Sequence, residues 1–352
     1  MQITINSKQG ESRVFIEKGC LHRRLADVAE GYGEVLVVSD ENVAPLYAEK
    51  VVQTLLHAGK KVKLHVIPPG ETSKSRQELF ALYAKAIDAG VTRGGAVCAL
   101  GGGVVGDLAG FAAATLYRGV GLIQIPTTLL SMVDSAIGGK TAINLREGKN
   151  LVGAFYQPHS AIIDPDCLAS LPDRELRCGL AEVIKYALIR DAALYEELLG
   201  YDEQTIQPRL APIIARCCLL KKAYVEQDTF DVGSRMELNF GHTLGHALEK
   251  QALGHLLHGE AVAMGMAAAA GWSEALGVCA AGTRQRVLEI LAQYGLKVCP
   301  MDVNTEFLKK DKKAFGEGIN VVLLNRIGDA VVKNLPIEEL IRMILERNES
   351  EA

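Results

Sequence analysis

The 352-residue chain has no paired-cysteine framework: its eight cysteines (Cys20, Cys98, Cys167, Cys178, Cys217, Cys218, Cys279 and Cys299) are scattered, with no C-x-x-C pair. A chain of this size without such a framework reads as a reduced, cytoplasmic protein. Excess positive charge is also missing. The formal net charge of -4 argues against nucleic acid as the main partner, so any basic site must be local. The most apolar windows, 96–116 and 259–275, contain Asp107 or Glu260 and several glycines, which excludes them as membrane spans. Met1-Gln2-Ile3-Thr4-Ile5-Asn6 alternates like a strand and lacks a basic segment followed by an apolar one, so no signal peptide is expected. Low-complexity linkers and internal repeats are absent as well. What remains is an ordinary globular composition, 49% hydrophobic and 23% charged, long enough for two domains with separate cores.

The first half alternates between strand and helix patterns. Residues 34–39 form a short buried-strand run ending at Asp40, and 43–58 reads as a helix. Residues 61–67 alternate as a strand up to the turn Pro68-Pro69-Gly70, and 74–89 place Leu79, Leu82, Tyr83 and Ile87 on one helical face. Another buried strand over 96–100 leads through a glycine-rich turn to a helix over 107–116 and a strand over 121–125. This order predicts a Rossmann-like α/β domain with a parallel sheet covered on both faces. Beyond residue 160 the patterns are helical, at 173–190, 192–199, 206–227, 236–251, 258–276, 283–294 and 336–348, apart from apolar runs at 161–163 and 319–324. The expected division is an α/β domain over 1–160 and an all-α domain over 161–352.

Four of the eight histidines fall within the seventeen residues 242–258. His242 and His246 are spaced to project from one helical face, and Gly254 allows a break that could fold His258 back toward them. Converging neutral imidazoles suit a transition metal such as Zn²⁺, although packed, hydrogen-bonded histidines are the alternative. The segment is similar to the H-E-x-x-H helix of zinc hydrolases, but Thr243 stands where the general-base Glu would be. Simple activation of water for hydrolysis is therefore not expected.

Gly101, Gly103 and Gly106 make a G-x-G-x-x-G turn between a strand and a helix, where glycines let the backbone approach a pyrophosphate. The acidic residue expected about twenty positions further on is replaced by Pro126-Thr127-Thr128, while Asp40 offers an acidic strand end upstream. Spacing alone leaves a dinucleotide site and a plain tight turn equally open. Gly138-Gly139-Lys140-Thr141 is similar to the tail of a P-loop, but Asp134 occupies the place of the first glycine and no strand precedes it. A nucleoside triphosphatase is thus not expected. Lys140 and Lys149, in glycine-flexible loops, suit a phosphate ester or a carboxylate.

Several segments occurring in one order resemble the 3-dehydroquinate synthase family. They are Pro69–Lys74, Gly101–Asp107, Pro126–Thr128, Met132–Thr141, Gly148–Asn150, Ala181–Lys185, Asn239–His246 and His258–Glu260. The resemblance spans residues 12–330 and implies a homodimeric enzyme that cyclises 3-deoxy-D-arabino-heptulosonate 7-phosphate, using NAD and Zn²⁺ or Co²⁺. It implies Glu182, His242 and His258 as metal ligands, in place of the His242–His246 pairing that spacing suggests. It implies NAD contacts at Asp40, Asn42, Glu71, Lys74, Gly102, Gly103, Val104, Asp107, Thr127, Thr128, Lys140, Lys149 and the segment from Cys167 to Ser170. Cys167 stands where many relatives have an aromatic residue. Substrate would be held by Asp134, Lys140, Asn150, Lys185, Lys221, Arg235, Asn239, His246 and Lys312 or its neighbour Lys313, with Arg118 supplied by the neighbouring subunit. Cyclases of other sugar phosphates and metal-dependent polyol dehydrogenases are the competing readings. Arg235, Asn239 and Asp107 match the dehydroquinate pattern, and the many anion-binding lysines disfavour a dehydrogenase. A non-catalytic binding protein would have lost a metal or lysine position, and none is lost.

Overall fold

The computed structural model describes residues 1–299, 303–304 and 318–351. By internal packing the chain forms two compact units, the first comprising Met1–Leu176 and Leu210–Phe230, the second Arg177–Arg209 and Asp231–Ala352.

The first unit opens with the antiparallel hairpin β1 (Gln2–Ser7) and β2 (Gly10–Ile16), then helix α1 (Leu21–Ala29). It continues through β3 (Glu34–Asp40), α2 (Glu49–His57), β4 (Lys61–Ile67), α3 (Arg76–Asp88), β5 (Ala96–Gly101), α4 (Gly103–Thr115) and β6 (Gly121–Pro126). A second hairpin pairs β7 (Lys140–Leu145) with β8 (Gly148–Phe155), and β9 (Ser160–Ile163) follows. The main sheet has seven strands in the order β1-β2-β9-β6-β5-β3-β4, parallel from β2 to β4. Strand β5 is buried along its whole length and β3 along all but its ends, as expected where helices cover both faces. Leu36, Val38, Val97, Ala99 and Leu122 pack with Leu79 and Leu82 of α3 and with Val105 and Leu108 of α4. Because strand side chains alternate, Val35 and Val37 are buried toward the opposite face.

Helices α5 (Asp173–Arg190) and α6 (Ala192–Leu198) come next. Helix α7 (Leu210–Gln227) then returns to the first unit and packs on β1 and on the turn Ser131–Ser135. Its buried stripe, Ile213, Ile214, Cys217, Cys218, Lys221, Tyr224 and Val225, keeps the helical period. The second unit holds α8 (His242–Gln251), α9 (His258–Ala275), α10 (Thr283–Gln293), the antiparallel hairpin β10 (Gly318–Arg326) with β11 (Asp329–Pro336), and α11 (Ile337–Glu351). Among the described residues no helix is long and apolar enough to cross a membrane.

Several local details differ from the expected ones. The division at residues 160 and 161 falls inside β9, which lies within the seven-stranded sheet, and α7 packs with the first unit rather than with the other helices. The helical later part also carries the β10–β11 hairpin, which takes up the apolar run at 319–324. Lys140 and Lys149 lie on the paired strands β7 and β8 rather than in loops. Helix α4 starts at Gly103, before the expected 107, because Gly102 is extended and serves as its N-cap. Helix α8 starts at His242, later than the expected 236, because Gly241 adopts φ +80°, a left-handed conformation that interrupts the helix.

Candidate metal centre and cofactor-facing residues

In the second unit, α5, α8 and α9 each contribute one donor. Glu182, fully buried on α5, directs Oε2 to the Lys185 ammonium one turn further along the same helix. Its other oxygen, Oε1, faces Nε2 of His242 at 3.7 Å and Nε2 of His258 at 3.4 Å. The three ligand atoms lie within 4.8 Å of one another. His242 Nδ1 is 3.1 Å from the Phe240 carbonyl, which can only accept, so Nδ1 carries the proton and Nε2 keeps its lone pair. Burial, with the Lys185 charge second, pushes the His242 pKa well below the ordinary imidazole value, so the ring is neutral, as a ligand must be. Burial also opposes a charge on His258, but its hydrogen bonds to Glu182 and Glu249 outweigh this and raise its pKa to about 10.

Close helix packing makes this convergence possible. A Cβ on Gly259 would lie 2.4 Å from the Cys178 backbone, one turn before Glu182. A Cβ on Gly265 would lie 1.9 Å from the Gly241 carbonyl oxygen, next to His242. These two glycines bring α9 against α5 and against the start of α8. Two imidazoles and one carboxylate are a donor set that fits a catalytic Zn²⁺ or Co²⁺. His246, exposed on α8, places its ring 5.3 Å from that of His242. Among the described residues His246, Glu249 and His258 form a second group with metal-ligand spacing, sharing His258 with the first.

Arg235 and Asn239 lie in the short turn Ser234–Asn239 before α8, and Arg235 is buried. Glu249 was not anticipated, although its place at i+7 from His242 and i+3 from His246 puts it on the same helical face.

In the first unit, Gly102, Gly103 and Val104 form the β5–α4 turn. Lys74 is buried, and its ammonium lies 2.7 Å from the Asp107 carboxylate and 2.5 Å from the Asn150 side-chain oxygen. The β7–β8 hairpin holds this group in place: Asn144 donates its backbone N–H to the Lys74 carbonyl and its amide to Glu71, and accepts from the Asn150 N–H. Asn144 was likewise not anticipated. Asn150 adopts φ +57°, a conformation its short amide tolerates. Thr128 pairs with Ser131, while the buried Thr127 hydroxyl has no hydrogen-bond partner among the described residues. A buried unsatisfied hydroxyl at the end of a central strand, beside a glycine turn, fits a bound polar cofactor.

Asp40 accepts the backbone N–H groups of Asn42 and Val43, and Tyr47 donates to the Cys167 carbonyl and meets the Ser170 hydroxyl. Lys221 on α7 bonds the Asp134 carboxylate at 2.6 Å. Arg118 is exposed and follows Tyr117, both at positive φ, 69° and 52°. Lys312 and Lys313 lie outside the described residues.

A glycine-turn α/β unit joined to a helical unit that carries two imidazoles and a carboxylate defines the dehydroquinate synthase-like fold class. Profiles of the 3-dehydroquinate synthase N-terminal and C-terminal regions match residues 64–178 and 179–314. The chain is 46% identical to the 3-dehydroquinate synthase of Pelobacter propionicus, over 97% of this chain and 98% of that protein. It is 44% identical to the enzyme of the same name from Methylococcus capsulatus, over 95% of each chain. Among solved structures, a 2-epi-5-epi-valiolone synthase from Streptomyces hygroscopicus with NAD⁺ and Zn²⁺ bound is 32% identical, with a TM-score of 0.86 over 95% of this chain and 96% of that one. A 2-deoxy-scyllo-inosose synthase complexed with carbaglucose-6-phosphate, NAD⁺ and Co²⁺ shares the fold at 24% identity, with a TM-score of 0.88 over 98% and 100% of the chains. The chain belongs to the 3-dehydroquinate synthase family.

Proposed function

We propose that this protein converts 3-deoxy-D-arabino-heptulosonate 7-phosphate to 3-dehydroquinate and phosphate, a step of the shikimate pathway to aromatic amino acids. The observation that carries the reading is the convergence of Glu182, His242 and His258 in a family member that also keeps the described lysine, arginine and asparagine positions.

When bound, the metal supplies Lewis acidity at the hydroxyl to be oxidised, and NAD⁺ supplies a hydride acceptor that gives the hydride back within the turnover. Glu182, His242 and His258 would hold the metal. The glycine turn at 102–104, with Asp40, Asn42, Glu71, Lys74, Asp107, Thr127, Thr128, Lys140, Lys149, Cys167 and Ser170, would hold the dinucleotide. Lys185, Lys221 and Arg235, together with Lys312, offer cations to a substrate bearing a phosphate and a carboxylate. Lys140, Asn150 and His246 orient the phosphate so that its own oxygen takes the proton from the carbon next to the new ketone, and phosphate then departs. Asp134, held by Lys221, and Asn239 fix the hydroxyls through ring opening and aldol closure. The protein's contribution is mainly positioning and electrostatics. The reading includes a cytoplasmic homodimer in which Arg118 reaches the neighbouring copy's site.

Phosphate release from a panel of sugar phosphates tests this. The heptulosonate phosphate is expected to be turned over, with glucose 6-phosphate and sedoheptulose 7-phosphate inert. Turnover of either of those two instead would assign the protein to a different cyclase.

A further inference from the structure

The two imidazoles of the candidate centre are oriented from behind by different groups. His242 is fixed by a backbone carbonyl, that of Phe240, at 3.1 Å. His258 has no such carbonyl contact among its described hydrogen bonds; its Nδ1 lies 3.1 Å from Oε2 of Glu249, on α8. Glu249 is 8% exposed, an unusual place for a carboxylate unless something fixes it there. Since a carboxylate accepts, Nδ1 of His258 donates to Glu249 and keeps its proton when Nε2, which faces Glu182 at 3.4 Å, gives its own up to the ion.

We propose that Glu249 is a positioning residue for the metal centre: it holds the ring of His258 and fixes the tautomer that presents Nε2 to the ion. This rests on the reading of Glu182, His242 and His258 as the ligand set. Glu249 then belongs behind the centre, and the second group of His246, Glu249 and His258 is not a separate ion site. One imidazole cannot serve both arrangements at once, because Nδ1 is committed to Glu249 and Nε2 faces Glu182. Carboxylates that orient ligating histidines typically change metal affinity by about 10–100-fold when removed. The carboxylate also makes the imidazole a stronger donor, which a neutral amide in the same place would do less well.

The test is Co²⁺ and Zn²⁺ affinity, measured by competition with a chromophoric chelator, for the full-length protein and for Glu249→Ala and Glu249→Gln. It is accompanied by the visible Co²⁺ absorption spectrum and the thermal midpoint of each metal-free variant. The expected result is affinity weakened about 10–100-fold in Glu249→Ala, an intermediate loss in Glu249→Gln, a changed Co²⁺ spectrum in both, and an unchanged metal-free midpoint in Glu249→Gln. Wild-type affinity and spectrum in both variants would overturn the proposal. So would equal losses in both variants that follow a lowered metal-free midpoint, since that is a folding role. If His246→Ala abolishes binding while Glu182→Gln and His242→Ala do not, Glu249 is itself a ligand, and both this inference and the ligand set fall. Weakening of binding by Glu182→Gln and His242→Ala, with Glu249 variants unaffected, would retain the ligand set and remove only the role of Glu249.

Discussion

Two lysine–carboxylate pairs, one in each unit, are built in opposite ways. Lys185 and Glu182 sit three residues apart on α5, with side chains 1% and 0% exposed, so the helix alone makes the pair. Lys74 and Asp107 are separated by 33 positions and meet only because the β4–α3 connection, α4 and the β7–β8 hairpin assemble around them. A pair made within a helix leaves one carboxylate oxygen for partners from other helices, and Glu182 turns that oxygen to two imidazoles. A pair made between separate elements is used up in holding them together, and Lys74 ties the β4–α3 connection to α4 and, through Asn150, to the β7–β8 hairpin. On the proposed reading, the first arrangement suits an ion and the second a larger ligand.

The largest effect should come from breaking the helical pair. On the proposed ligand set, Glu182→Gln removes a metal ligand, and it takes the carboxylate away from the buried Lys185. The loss of Lewis-acid assistance, worth several kcal/mol, corresponds to a rate lower by on the order of a thousandfold, and removing the carboxylate beside the buried Lys185 charge should lower stability by about 3–5 kcal/mol. Metal content, phosphate release and chemical denaturation read all three, and a variant that keeps its metal would remove the distinction drawn between the pairs. Lys74→Met, in the looser pair, should cost somewhat less stability, about 2–4 kcal/mol, because Asp107 keeps 19% exposure. It should weaken NAD⁺ binding while metal content stays at the wild-type level, which equilibrium dialysis would check.

Gly259→Ala sharpens the contrast from the backbone side. The added Cβ meets the Cys178 backbone at 2.4 Å, so α9 must move away from α5. A destabilisation of about 1–3 kcal/mol and reduced metal affinity are expected, with NAD⁺ binding preserved. Denaturant midpoints and dialysis would show it, and unchanged metal affinity would mean that the helix contact does not set the centre.

The smallest and most graded effect is pH. Proton and metal compete for His258, whose pKa in the metal-free chain is raised to about 10. Apparent metal affinity should therefore climb by about tenfold per pH unit between pH 7 and 9 and level off near pH 10. In the metal-free chain the same raised value makes His258 a stabilising group below the ordinary imidazole range, and that contribution is lost as pH rises through about 10. His242, held neutral by burial, should add no proton release over that range. Chelator competition at stepped pH measures the slope.

Much of this was legible where a single element carries the signal. The period of α8 places His242 and His246 on one face, and the strand–turn–helix order marks the glycine turn. Glu249 was legible in the same way, on the face of His242 and His246, but an acidic residue on a helix usually faces water and drew no notice. Spacing could not reveal Glu182, because it joins the imidazoles only through tertiary packing at Gly259 and Cys178. Family resemblance named it where periodicity is silent. Helix α7 shows its buried stripe plainly, yet nothing in that stripe says that β1 is what it covers. The β7–β8 hairpin was obscured by Gly138, Gly139 and Gly148 at its borders, and β9 is only four residues long, too short for its pattern to mark a sheet strand.

The most direct measurement incubates the metal-loaded protein with 3-deoxy-D-arabino-heptulosonate 7-phosphate and sub-stoichiometric NAD⁺, following phosphate release and NADH absorbance together. Many equivalents of phosphate per NAD⁺ with no lasting NADH is the predicted result, because the hydride is taken and returned within one turnover. NADH accumulating in step with substrate loss would contradict it and make the protein a dehydrogenase.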